Sequence, residues 1–393
     1  MHVENKPKPK KNVRKLDPES LLSIFFILMA LFIVLMLVVL LANTAVSCAF
    51  SIFGTTTPPP ASNPSAPSNP PLENAIFTGG ALAQLPHTTE NTRDVSADMN
   101  SSYACLLDVQ SGAILAQKGG DVRFNPASMT KVMTLIVALE HLTASDLDRQ
   151  LTLSMDVFEY VSTGAYAGSS CSFTPSPKKE DPYFYLNDRF LIRDVLYAVG
   201  MESAADATYL LFKDICGDEA SFVELMNQKA AALGLTDTHF GNAIGHEGED
   251  NYTTASEMAA IMSYALQCDL IREILSRNVT YKYKGYWTDA GVEKSYDRQM
   301  DSTLFNTNDG NASRFKAYKD FYGKTFALAD ASMKFLGGKT GTLGDGSTQN
   351  PRIYSLVSFI EKDGKLYVAV TGETKSGYAV MNDAKTLCDY YIK

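Results

Sequence analysis

Apolar positions fall into three regimes along this 393-residue chain. From Leu21 to Ala42 they run almost without a break (LLSIFFILMALFIVLMLVVLLA) and carry no charge. A run of that length predicts a helix that crosses the hydrocarbon core of a bilayer. In Gly54–Asn74 the pattern disappears: Pro58, Pro59, Pro60, Pro64, Pro67, Pro70 and Pro71 stand among Ser, Thr and Asn. Such a stretch buries no core and predicts an extended, mobile tether. Beyond about Ser102 the spacing becomes that of a folded domain. Ser102–Asp108 and Ala113–Lys118 read as strands around a Gln110-Ser111-Gly112 turn. Ser128–His141 is apolar on nearly all faces, through Met129, Val132, Met133, Leu135, Ile136, Val137 and Leu139, which predicts a buried central helix.

The remaining elements follow the same logic. Asp156–Tyr185 is rich in Gly, Ser, Pro and Tyr and reads as a long loop. Leu191–Lys213, Ala220–Leu233 and Thr254–Leu266 read as helices. Met333–Gly338, Ile353–Ile360 and Leu366–Gly372 read as strands, and Val380–Tyr391 as a closing helix. Strands, then many helices, then strands and a helix predict an α+β domain whose sheet joins both ends of the chain. Order is expected to begin between Gly80 and Met99. The resulting plan is a basic tail over 1–20, an anchor over 21–43, a Pro/Ser-rich linker over 44–95 and a folded domain over 96–393.

Charge sharpens that plan. Residues 1–20 carry six basic and three acidic groups, a net +3 that leaves −12 for the rest of a chain of net charge −9. Basic residues ahead of the apolar helix predict a cytoplasmic N-terminus and an extracytoplasmic domain, held by a single-pass anchor. Cleavage after Ala45 or Ser47 is the alternative. An acidic chain without a basic stripe argues against a nucleic-acid partner. The six cysteines (48, 105, 171, 216, 268 and 388) show no C-x-x-C, and the five histidines show no H-E-x-x-H, so no metal site is expected. Export permits disulfides, whose pairing stays open, with buried thiols as the alternative.

The candidate chemistry lies in three short groups. Ser128-Met129-Thr130-Lys131 opens the apolar helix, so a hydroxyl and an amine three residues apart share a face at a helix N-terminus. A serine needs a base to become a nucleophile, and a lysine serves only when largely neutral. Burial and a nearby cation, for which Lys339 is the candidate, would bring it there. Ser176-Pro177-Lys178-Lys179 and Ser313-Arg314-Phe315-Lys316 repeat the S-x-x-K spacing, but neither opens an apolar helix. Ser128 could also be a simple N-cap. Lys339-Thr340-Gly341-Thr342 ends an apolar strand with small residues, which suits edge-on peptide binding and a carboxylate clamp; a glycine-rich turn is the plain alternative. Ser203 sits in Ser203-Ala204-Ala205 between apolar helical runs, where a packing role competes. Ser276-Arg277-Asn278 and Tyr185-Leu186-Asn187 mimic related motifs in less suitable contexts.

In this order the three groups read S-x-x-K, S-x-(N) and K-T-G. The chain resembles the low-molecular-weight penicillin-binding proteins, specifically the D-alanyl-D-alanine carboxypeptidase family, from about Ser102 to its end. Met226-Asn227, Leu233-Gly234-Leu235, Thr238-His239-Phe240, Asn242, Gly245-His246, Tyr252-Thr253-Thr254-Ala255 and Asn306-Thr307-Asn308 extend the likeness. The resemblance implies a β-lactamase/transpeptidase-like fold, with an antiparallel sheet flanked by helices and a helical subdomain. It also implies a peptidase acting on peptidoglycan stem peptides that end in D-Ala-D-Ala. Ser128 would be the nucleophile, Lys131 the base and Ser203 a proton relay. Lys339, Thr340, Gly341 and Thr342 would bind substrate, with oxyanion donors from the backbone of Ser128 and Thr342. β-Lactams would be covalent inhibitors, and no metal or organic cofactor would be needed. His239 and His246 receive no catalytic role.

The chain departs from the family at Ala205, where an Asn is expected to hydrogen-bond near the base and the substrate amide. The expectation is an active but altered enzyme. A catalytically weakened wall-binding or sensor protein, or a β-lactamase using Glu224, are the alternatives.

Overall fold

The computed structural model describes residues 72–82, 84–96, 99–163, 166–174, 186–305 and 313–393. The expected tail, anchor and most of the linker lie outside the described residues, as do Ser176–Lys179, Tyr185 and Asn306-Thr307-Asn308. Ten strands and nine α-helices follow in chain order among the described residues: β1 His87–Asp94, β2 Tyr103–Asp108, β3 Ala113–Lys118, α1 Lys131–Glu140, β4 Gln150–Thr152, α2 Met155–Ser162, β5 Arg189–Leu191, α3 Ile192–Tyr197 and α4 Ala205–Cys216. Then come α5 Glu219–Ala232, α6 Ala255–Ala265, α7 Asp269–Ser276, β6 Tyr281–Asp289, β7 Val292–Met300, α8 Arg314–Tyr322, β8 Met333–Leu343, β9 Ile353–Lys362, β10 Lys365–Thr374 and α9 Gly377–Tyr391.

Six strands form one sheet in the order β1-β3-β2-β10-β9-β8. The sheet joins the two ends of the domain as expected, because β10 lies antiparallel to β2 with Val370 opposite Cys105. Both faces of the central strands are buried, and the strand period of two sorts the residues between them. Cys105, Leu107, Val368 and Val370 face the core that holds α1 and α6. Ala104, Leu106, Tyr367 and Ala369 face Leu387 and Cys388 of α9. Helix α1 is buried along its whole length, as its all-round apolar pattern requires. Local signals set several helix starts: Thr254 caps α6 by accepting from Glu257 N–H at 3.1 Å, and Asp218 caps α5 by accepting from Ser221 N–H at 2.8 Å.

Four expectations change. The folded part reaches back into the expected linker. Ile76 N–H donates to Leu142 O at 2.8 Å and β1 pairs in parallel with β3, so backbone hydrogen bonding begins well before residue 96. The expected loop over 156–185 begins as α2, whose Val157 and Val161 turn inward. The expected helix over 191–213 is two helices, separated by a π-helical turn at Ala198–Glu202 and a left-handed Ser203. A second sheet, β4-β5-β6-β7, was not expected. β4 and β5 have three residues each, and β7 (VEKSYDRQM) is exposed along most of its length, so neither presents an apolar alternation. Strand β8 carries Lys339–Thr342 inside the ladder, where Lys339 pairs with Val357 and Thr342 with Tyr354. The glycines do not make a turn there.

Candidate active site

Ser128 lies in a 3-10 turn, Ala127–Thr130, that leads directly into α1. A tight turn of three residues brings positions i and i+3 into line, so Lys131 stands over Ser128. Lys131 Nζ is 3.3 Å from Ser128 Oγ and donates to Ile244 O at 2.6 Å. Ser128 makes no capping bond, so the simple N-cap reading does not hold. The turn is clamped from two sides. Ala127 has φ 51, and its N–H donates to Asn125 Oδ1 at 2.8 Å. Gly245 (φ +75) lies so close that a Cβ there would stand 1.9 Å from Ala127 O, and at Gly341 a Cβ would stand 3.0 Å from Pro126 O. Glycine at both places lets the segments close on the turn.

Lys131 is 2% exposed, and burial pulls its pKa down to about 7. Burial alone depresses it, against an opposing pull from Cys171, and the expected charge of Lys339 contributes nothing to the shift. Lys339 is itself 1% exposed and held well below the ordinary lysine range, first by burial, then by the positive charges of Lys131 and Arg314. From β8 its Nζ crosses to the helical side, donating to Ser203 Oγ at 2.9 Å and to Thr340 O at 3.1 Å. Ser203 reaches that amine because its backbone is left-handed (φ 62, ψ 33), which ends the π-helical turn and aims the hydroxyl at the strand.

The structure therefore brings Ser128, Lys131, Ser203, Lys339 and Thr340 to one place, with Gly341 and Thr342 continuing the strand beside the 3-10 turn. Two further residues belong there. Thr303 Oγ1 lies 2.8 Å from Thr340 Oγ1. Arg314 Nη2 donates to Gly341 O at 3.1 Å and Thr342 Oγ1 at 2.8 Å. Its guanidinium carbon stands 4.5 Å from the centroid of the Tyr354 ring, and burial lowers its pKa to about 10. Arg314 sits inside the discounted Ser313–Lys316 pattern. There Ser313 caps α8, accepting from Lys316 N–H at 2.9 Å, and the residue after the cap turns into the site. The rarity of a buried arginine was no guide, because burial is not legible in so polar a stretch.

The competing patterns fall elsewhere. Ser276 ends α7 and Glu224 is exposed on α5, accepting from Gln228 at 3.0 Å, so neither stands beside Ser128. Ala205 belongs to a small buried apolar cluster with Val161 and Ile244. The arrangement can deprotonate a half-buried hydroxyl near neutral pH, pass a proton through a second hydroxyl and attract a carboxylate to the strand edge.

Residues 88–308 match the sequence profile of the D-alanyl-D-alanine carboxypeptidase peptidase family. The chain belongs to the D-alanyl-D-alanine carboxypeptidase family. The family match takes in Ser128, Lys131 and Ser203 but ends before β8, so geometry alone joins Lys339–Thr342 to them. The chain is 27% identical over 205 residues to the D-alanyl-D-alanine carboxypeptidase DacF of Bacillus subtilis, covering 52% of this chain and 46% of that one. It is 30% identical over 185 residues to DacA of Escherichia coli, covering 46% and 41%. The chain thus spans less than half the length of each of these two curated relatives. Among solved structures, the Streptomyces K15 DD-transpeptidase superimposes with a TM-score of 0.56 at 22% identity, over 76% of this chain and 99% of that one. That likeness establishes the transpeptidase-like α+β fold. Among the described residues no helix is long and apolar enough to cross a membrane.

Proposed function

We propose that this chain is a serine D-alanyl-D-alanine carboxypeptidase that trims peptidoglycan stem peptides through a Ser128 acyl-enzyme. One observation carries the reading: a Lys131 amine whose pKa burial brings down to about 7 stands 3.3 Å from a half-buried Ser128 hydroxyl at the head of an apolar helix.

Ser128 Oγ forms a bond to the carbonyl carbon of the penultimate D-alanine while its proton passes to Lys131 Nζ. The backbone N–H groups of Ser128 and Thr342 take the charge that develops on the carbonyl oxygen. The C–N bond then breaks, and the amine leaves as D-alanine with a proton returned through Lys131 and Ser203. Water attacks the ester next, releasing the shortened peptide and restoring the Ser128 hydroxyl. Lys339, Thr340 and Arg314 hold the terminal carboxylate against β8. A β-lactam, with its own carboxylate and strained amide, enters the same place and acylates Ser128. The apolar run Leu21–Ala42, preceded by basic residues, supports an N-terminal membrane anchor with the enzyme on the extracytoplasmic face.

The test uses the full chain in detergent. Release of D-alanine from a D-Ala-D-Ala peptide and covalent labelling by fluorescent penicillin are both expected, and Ser128→Ala abolishes both. A wild-type chain that gives neither signal sinks the reading and leaves a wall-binding role. Rapid turnover of the penicillin, rather than a long-lived adduct, points to a β-lactamase.

A further inference from the structure

Residues 344–352 join the end of β8 to the start of β9. Internal hydrogen bonds shape this loop: Gly346 N–H donates to Asn350 O at 3.1 Å, Ser347 N–H to Asp345 Oδ1 at 2.7 Å and Asn350 N–H to Ser347 Oγ at 3.0 Å. Its hydrogen bonds to the helical side of the cleft go to one carboxylate. Gly344 N–H donates to Glu247 Oε1 at 2.8 Å, and Asn350 Nδ2 donates to the two carboxylate oxygens at 3.3 and 3.5 Å. Gly344 presents its N–H from a left-handed backbone (φ +80), and a Cβ there would stand 2.4 Å from Pro351 O, so the contact requires glycine.

Glu247 is exposed, but the segment that carries it is fixed. Asn242 Oδ1 accepts from Ile244 N–H at 3.3 Å and from His246 N–H at 2.8 Å. Asn251 Nδ2 donates to His246 O at 3.4 Å and to Asn125 Oδ1 at 3.2 Å, and that Asn125 oxygen also accepts Ala127 N–H. Ile244 O receives Lys131 Nζ, and Gly245 closes on Ala127 O. Residues 244–247 therefore meet the base and the turn of Ser128 at one end and the loop that follows β8 at the other. No step of the acyl-enzyme reaction described above uses Glu247.

We propose that Glu247 is a positioning residue: its carboxylate latches the end of β8 to the nucleophile turn and so sets the gap between the two oxyanion donors, the N–H groups of Ser128 and Thr342. The inference rests on the acyl-enzyme reading above. β8 is an edge strand paired with β9 on one side, and Thr342 lies two residues before Gly344. Arg314 fixes Gly341 and Thr342 to α8. Glu247 fixes the residues that follow them to the segment that holds Ala127 and Lys131. An oxyanion donor acts only within hydrogen-bond reach of the developing charge. Displacing a reacting group by about 1 Å costs up to about a hundredfold in rate. A carboxylate suits the latch, because its bonds to N–H groups are charge-assisted and its two oxygens serve two donors of one loop. Both ends lie on surface loops, so the latch bears on local geometry more than on global stability.

The test compares Glu247→Ala, Glu247→Gln and Asn350→Ala in the full chain. It reads kcat and KM for D-alanine release, the rate of Ser128 acylation by fluorescent penicillin, and the folded fraction by thermal unfolding. Glu247→Ala is expected to lower kcat and the acylation rate about tenfold with KM within about twofold, because the oxyanion exists only in the transition state. Its unfolding midpoint stays close to that of the wild type. Glu247→Gln keeps an oxygen for Gly344 N–H and brings both rates back to within about threefold of wild type. Asn350→Ala removes only the longer contacts and loses about twofold. Wild-type rates in Glu247→Ala overturn the latch. A rise in KM at unchanged kcat also overturns it, since Glu247 is then a substrate contact. So does a folded Glu247→Gln as slow as Glu247→Ala, since the charge and not the bond then matters, and so does a loss of rate that only tracks the folded fraction. A wild type that takes no penicillin defeats the acyl-enzyme reading itself, a result distinct from all of these.

Discussion

The two sides of the cleft are built differently. On the sheet side, β8 is an edge strand in regular register with β9 from Gly337 to Leu343, and Lys339, Thr340, Gly341 and Thr342 stand where an extended strand puts them. On the helical side, Lys131 opens the regular helix α1, but the two hydroxyls of the site sit on irregular backbone. Ser128 is in a 3-10 turn after a left-handed Ala127, and Ser203 is itself left-handed after a π-helical turn. A regular edge suits recognition of an extended peptide, whose own backbone is regular. Proton transfer instead needs a hydroxyl and an amine at one distance, and non-standard turns aim single side chains without moving the helices that carry them.

The strongest way to test that division is to remove the base. Lys131→Met should lower acylation by about three orders of magnitude, while peptide binding through β8 persists. In the wild type, the acylation rate should climb with pH through about 7 and level off above, since only the neutral amine accepts the proton. Stability moves the same way. The Lys131 pKa lies below its unfolded value of about 10.5, so between about 7 and 10.5 the unfolded chain holds the extra proton and stability rises with pH. The stability gap between Lys131→Met and wild type should therefore narrow across that window in urea titrations.

Ser203→Ala comes next. Loss of the relay should cost about a hundredfold in kcat for D-alanine release, with little change in KM. On the sheet side, Arg314→Met should do the reverse, raising KM for a D-Ala-D-Ala peptide about tenfold with a smaller loss of kcat, because it removes a cation near the carboxylate. Equal kcat losses in the two variants would erase the proposed division of labour. The smallest effect separates strain from chemistry. Ser203→Gly should be about 1 kcal/mol more stable than Ser203→Ala, because glycine accepts φ 62 at no steric cost, while both lack the relay.

The legible elements share a property. α1, β2, β9 and β10 are long, apolar and periodic, so their own residues announce both type and burial. β7 and the three-residue β4 and β5 do not, since edge and surface strands carry no apolar alternation. The Ser128–Lys131 pair was legible because its spacing is local, and Lys339–Thr342 because small residues follow an apolar strand. Thr303 and Arg314 were missed for the opposite reason. Each is ordinary in its own stretch and gains a role only from Thr340, Gly341 and Thr342, contributed by a distant strand.

The sequence by itself determined the sheet that closes on both chain ends, the buried central helix, and the nucleophile and base at its head, because these depend on periodicity and on residues three apart. It also exposed the missing amide at Ala205. Only the tertiary structure decided that Lys339 reaches Ser203, that Arg314 anchors the strand and that Ala205 packs with Val161 and Ile244. Those contacts join segments tens to more than a hundred residues apart. Their energy comes from shared burial, which no local pattern records.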